Sequence, residues 1–128
     1  MAAQHADTLL DIDTWYDAGR AVVELVGELD AYTASRLRRA LEDLAVPARY
    51  RVVVEMSQLD FMDSSGLGVL VGAHKRARNG GGALALAGAQ ERILRVLRIT
   101  GLVRVMVPFE TLEQALAHVD RESDPHML

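Results

Sequence analysis

The sequence contains no cysteine. Disulfides, zinc–thiolate centres, iron–sulfur clusters and thiol catalysis are therefore excluded. Basic residues are in deficit, with 14 Lys and Arg against 18 Asp and Glu, a formal charge of -4. Nucleic-acid affinity rests on neutralising phosphates, so an acidic chain without a basic stripe is a poor candidate for direct nucleic-acid binding. The same balance disfavours a polybasic membrane-surface binder. No apolar run approaches the roughly 20 residues of a membrane span. Residues 1–7 lack a charged segment leading into an apolar one, so no secretory signal is expected and the location expected is cytoplasmic. What remains is 128 residues, 50% hydrophobic and 25% charged, the composition and size of one soluble globular domain.

Residue patterns divide the chain into alternating elements. Residues 9–15 read as a strand, and Gly19 supplies turn chemistry before a second, β-branched strand over 21–27. The pair predicts a hairpin. Gly27-Glu28-Leu29-Asp30 then leaves the strand and leads into a helix carrying Ala34, Leu37, Leu41 and Leu44 on one face, closed by Pro47. Residues 51–56 (RVVVEM) form a short apolar run bounded by polar residues, the mark of a strand covered on both faces. A second helix is predicted over 64–78, broken by Asn79-Gly80-Gly81-Gly82, and a strand over 83–87. A third helix over 90–100 groups Ile93, Leu94 and Leu97 and ends at Gly101. A further strand is predicted over 103–107. Thr111 and Gln114 have capping-box spacing before a last helix with Leu112, Ala115, Leu116 and Val119 in its stripe. The expected fold is α/β, β-β-α-β-α-β-α-β-α, with a mixed, mostly parallel sheet of about five strands and four helices. Flexible tails are expected over 1–8 and 121–128, with the domain over 9–120.

The stretch from Leu59 to Leu70 (LDFMDSSGLGVL) joins a strand end to a helix start, where sites gather in open α/β sheets. Asp63 and Ser64 are both good N-cap residues, and capping alone would account for them. The helix also carries Gly66, Gly68 and Gly72, each costing roughly 0.5–1 kcal/mol relative to Ala. Close approach of another backbone is the usual compensation. Leu67, Val69, Leu70, Val71 and Ala73 make the first turns apolar nearly all round. That surplus either lies under neighbouring elements or faces a partner. A hydrolase is disfavoured, because Ser64 lacks a Gly-x-Ser-x-Gly elbow and His74 sits nearly three turns along the same helix. The glycine run at 80–82 follows a helix and precedes a strand, the reverse of a phosphate loop. Arg92, Arg95 and Arg98 recur every three positions and read as a solvated face or an acidic-partner patch; Asp30 reads as a cap or a partner contact.

The segment FMDSSGLGVL over 61–70 resembles the signature of the bacterial anti-sigma factor antagonists, the STAS-domain proteins. Gly27-Glu28-Leu29-Asp30 is similar to the family's turn after its second strand, and Thr100-Gly101-Leu102 to its late helix-ending turn. The landmarks span about nine tenths of the chain. The resemblance implies the STAS fold and a binding protein without catalytic activity, cofactor or metal. It implies an anti-sigma factor with serine kinase activity as partner, with binding that frees a sigma factor. It also implies a phosphoacceptor at Ser64, reset by a serine phosphatase, and a docking surface at or beside Asp30, Asp63, Ser64, Ser65, Gly66 and Leu67. A non-phosphorylated STAS scaffold or small-ligand sensor is the alternative within the family.

Overall fold

The computed structural model describes residues 9–44 and 50–123. Pro47, the expected tail over 1–8 and residues 124–128 of the tail expected over 121–128 lie outside the described residues. Leu10, Ile12 and Thr14 alternate with exposed neighbours in β1 (Leu10–Asp17), which pairs antiparallel with β2 (Arg20–Leu29). Between them Ala18 and Gly19 turn at positive φ. Then follow α1 (Ala34–Glu42), β3 (Arg51–Met62), α2 (Ser64–Asn79), β4 (Ala83–Ala87), α3 (Glu91–Ile99), β5 (Pro108–Phe109) and α4 (Leu112–Glu122). The sheet order is β1-β2-β3-β4-β5, and every pairing after the first is parallel. The chain therefore steps one way across the sheet, and right-handed crossovers put α1, α2 and α3 on one face. The core agrees: Leu37, Leu41, Leu70, Ala73, Ile93 and Leu97 share one apolar cluster with Leu25, Val54 and Met56. Ala115, Leu116 and Val119 of α4 cover the opposite face with Val22, Val53 and Ala85.

Three sequence expectations are corrected. β2 does not leave the sheet at Gly27 but runs on to Leu29. Gly27 takes φ +118°, and a Cβ there would lie 2.1 Å from the Leu9 carbonyl oxygen. β3 extends to Met62 rather than ending at Met56. Its register with β2 slips twice, Glu24/Val26 facing Glu55/Gln58 and Gly27/Glu28 facing Leu59/Phe61, so β3 carries an extra residue at each slip. The strand expected over 103–107 is absent. Leu102–Arg104 instead forms a 3₁₀ turn after left-handed Gly101, and only Pro108 and Phe109 pair with β4. There Leu102, Val103 and Met106 all turn toward the core, so packing overrides the alternation of VRVMV. At the C-terminal end the capping box of Thr111 and Gln114 is formed, and α4 includes Arg121 and Glu122.

Candidate functional site

Bulging lengthens β3 until its end reaches the end of β2: Leu29 pairs with Met62, and the Asp63 N–H donates to the Leu29 carbonyl at 3.2 Å. The turns after the two strands therefore lie side by side, bringing Asp30 next to Asp63 and Ser64. Asp63 is the N-cap of α2, in extended backbone conformation. Its Oδ1 accepts from the Ser65 N–H at 2.9 Å and the Gly66 N–H at 3.3 Å, and its carbonyl accepts from the Leu67 N–H. Ser64, the first residue of α2, is exposed; Ser65, Asp63 and Asp30 are half-buried. Gly66 and Leu67 are buried. A Cβ on Gly66 would fall 2.6 Å from Leu29 Cγ, so that glycine is required by the close fit of α2 over β2. Gly68 differs: it is exposed, and a Cβ there would meet nothing within 4 Å. The apolar surplus of α2 lies inward, with Leu67, Val69, Leu70 and Ala73 in the core and Val71 packed against it.

Asp30 builds its own turn. Its Oδ1 accepts from the N–H groups of Tyr32 and Thr33, both at 2.9 Å, and the helix cap of α1 is Thr33 rather than Asp30. The Thr33 hydroxyl is fully buried, accepting from the Asp30 N–H and lying 3.0 Å from the Glu28 carbonyl. Thr33 and the exposed Tyr32 (68%) escape sequence reading, because a turn residue offers no periodicity from which to infer burial. Phe61 is 46% exposed immediately beside the site. On the far side of β3, Gln90 Nε2 donates to the Ser57 carbonyl (3.1 Å) and Asp60 Oδ1 (3.2 Å), and Arg92 Nη1 donates to the Asp60 carbonyl (3.3 Å). These bonds tie the end of β3 to the start of α3.

No base stands beside Ser64 in its helix: His74 lies ten residues on, about 15 Å along the axis. It lines a separate cleft of about 250 Å³ with Arg78, His118 and Glu122. Burial, then the Arg78 charge, lowers the His74 pKa; burial likewise dominates the lowering at His118. Among the described residues, no group of three or more His, Asp or Glu is placed to hold a metal, and no helix is long and apolar enough to cross a membrane. Among the described residues the strand order does not reverse between β2 and β5. The arrangement offers a surface hydroxyl at a helix start, beside an Asp63 carboxylate engaged by the Ser65 and Gly66 amides.

Comparison with known proteins agrees with this geometry. The STAS domain family matches residues 12–115. The anti-sigma-B factor antagonist of Listeria monocytogenes is 38% identical over 86 residues, covering 67% of this chain and 75% of that one. The anti-sigma F factor antagonist of Paenibacillus polymyxa is 32% identical over 113 residues, covering 87% and 96%. The solved structure of the anti-sigma factor antagonist SpoIIAA in its unphosphorylated form superposes with a TM-score of 0.67 at 25% identity, covering 88% of this chain and 96% of that one. The chain belongs to the STAS domain family, and its relatives are bacterial anti-sigma factor antagonists.

Proposed function

We propose that this protein is an anti-sigma factor antagonist whose unphosphorylated form binds an anti-sigma factor, and that phosphorylation of Ser64 switches the binding off. As a member of its family it is a regulatory binding protein and not an enzyme. The partner is an anti-sigma factor with serine kinase activity, a serine phosphatase restores the hydroxyl, and the cycle runs in the cytoplasm. The docking surface is formed by Asp30, Asp63, Ser64 and Ser65, with Gly66 and Leu67 supporting it from beneath. The observation that carries the reading is the exposure of Ser64 at the first position of α2, beside two engaged carboxylates. The relative SpoIIAA, whose solved structure is described as the unphosphorylated form, supports a two-state cycle.

The energetics favour a switch in binding over a switch in folding. A phosphate adds about -1.5 to -2 charges and three acceptor oxygens. At a free helix N-terminus it would gain roughly 0.3–1 kcal/mol from the amides and dipole. Here the Asp63 carboxylate already occupies the Ser65 and Gly66 amides, so the gain is smaller and like charges adjoin. An exposed group relieves that repulsion by facing water, and the fold tolerates it. In a docked complex the phosphate loses its water, and an uncompensated buried charge costs about 3–5 kcal/mol, or roughly two to three and a half decades of affinity. The test is a pull-down with wild-type and Ser64→Asp bait, with mass spectrometry after incubation of the wild type with ATP and the captured partner. The expected result is loss of the partner from Ser64→Asp, an unchanged melting profile and phosphate on Ser64. Equal capture by both baits, or phosphate elsewhere, refutes the proposal in favour of a non-phosphorylated scaffold or small-ligand sensor.

A further inference from the structure

Beside the Ser64 turn, Phe61, Met62, Arg92, Ile93 and Val96 enclose a hollow of about 200 Å³ between the end of β3 and α3. Its lining is apolar apart from Arg92. The hollow continues along one stripe of α3, because Arg92, Arg95, Val96 and Ile99 stand at helical spacings of three, four and seven. Ile99 is 78% exposed, uncommon for so large an aliphatic side chain. The stripe is also positive in an otherwise acidic molecule. Arg98 is paired with Glu91 and is thereby neutralised. Arg92 donates to the backbone carbonyl of Asp60 and forms no ion pair among the described residues. Arg95 has no ion-pair partner among the described residues. Two guanidiniums without an ion-pair partner among the described residues therefore flank an apolar hollow that adjoins the Ser64 turn through Met62 and Phe61.

We infer that this hollow and the α3 stripe form a second half of the docking surface, which receives a segment of the anti-sigma factor carrying a bulky apolar side chain flanked by carboxylates. The inference rests on the function proposed above for the partner's identity, but on different residues. Charge complementarity selects the occupant: the Asp30 and Asp63 side of Ser64 is negative and suits a basic partner surface, whereas the α3 side is positive and suits an acidic one. A symmetric second copy does not fit, since facing one α3 stripe with another would bring like charges together. The two signs on either side of Ser64 fix the partner's orientation, which is the usual role of charged rims around an apolar anchor.

The experiment measures the affinity of the purified anti-sigma factor captured by the wild type, at low and at physiological ionic strength. The variants are Arg92→Glu/Arg95→Glu, Arg92→Gln/Arg95→Gln, Phe61→Ala, Ser64→Asp and, as control on the opposite face, Arg121→Glu. Arg92 stands in the first turn of α3, where an acidic residue suits the helix dipole, and Arg95 is exposed, so charge reversal leaves the fold intact, which circular dichroism checks. The expected result is an affinity loss of about tenfold or more for the double reversal, a smaller loss for neutralisation, and a wild-type salt dependence that both charge variants flatten. Phe61→Ala loses affinity at both salt concentrations, and Arg121→Glu stays close to wild type. Double reversal within about twofold of wild type overturns the inference whatever Ser64→Asp does. If the reversal weakens binding while Ser64→Asp does not, the surface stands and the phosphorylation switch falls. A chain that captures no anti-sigma factor overturns both.

Discussion

Two glycines two residues apart in α2 are expected to respond to the same substitution with opposite signs. Gly68→Ala adds a methyl group into open space, since its Cβ would have no neighbour within 4 Å. Only the backbone effect remains: an interior helical Gly is worse than Ala by roughly 0.5–1 kcal/mol, chiefly because the unfolded glycine chain is freer. For a domain of this size that corresponds to a rise in melting temperature of about 2–5 °C. Gly66→Ala receives the same backbone gain but drives its Cβ to 2.6 and 2.7 Å from Leu29 Cγ and Cδ2 and 3.1 Å from Met62 Cγ. Leu29 is fully buried and cannot swing aside, so overpacking of about 1–3 kcal/mol outweighs the gain. Thermal unfolding by circular dichroism reads both. Binding to the anti-sigma factor then separates stability from function, because Gly68 follows Ser64 by one turn on the same exposed stripe. A methyl group intruding on a fitted interface costs about 1–3 kcal/mol, or roughly one to two decades of affinity. The better-folded variant is expected to be the poorer binder. A Gly68→Ala chain that melts lower than wild type, or that binds as tightly, refutes the reasoning.

Asp63→Ala is expected to destabilise the domain by about 1 kcal/mol through loss of the α2 cap, whereas Asp63→Asn keeps most of that contribution; chemical denaturation with an unchanged slope checks both. The histidines of the α2–α4 cleft predict a pH dependence. Folding lowers the pKa of His74 and His118, so as pH falls toward the unfolded value of about 6.5 the unfolded chain takes up protons that the folded chain resists. Their contribution is present above that value and lost below it. Melting temperature should drop between pH 7.5 and 5.5, and His74→Gln/His118→Gln should drop less; parallel curves would remove these histidines from the account.

The parts of the fold that sequence reveals are those whose burial keeps a simple period. The starts of α2 and α4, the whole of β4 and the end of α3 at Gly101 follow from N-caps, an apolar run and a left-handed glycine, each a local signal. β3 fails at Met56 because its two extra residues break the period of two: beyond that point the buried residues are Met56, Leu59 and Met62, spaced by three. A strand bulged twice therefore reads as a loop. The error at 103–107 is of the opposite kind. Those residues alternate like a strand, but the 3₁₀ turn at Leu102–Arg104 delivers Met106 to the core, leaving Val105 and Val107 outside. Both errors arise because register and direction are set by neighbouring elements, which a single segment does not encode.

The site was legible to a different degree. The motif around Ser64 marks the chemistry, because a cap residue, a hydroxyl and a glycine-rich helix are local features. Tyr32 and the α3 stripe belong to other segments, and nothing in their own sequence ties them to the Ser64 turn. Nor does the sequence distinguish the glycines, since Gly66 and Gly68 both interrupt a helix at similar intrinsic cost. Only the distances separate them: the first cost is offset inside the molecule by close packing on Leu29, the second by nothing in the folded chain. Gly68 stands on an exposed stripe one turn from the Ser64 hydroxyl, where a partner bound as proposed would approach. On the proposed function that position leaves room for the partner's surface, and the binding measurement on Gly68→Ala decides it.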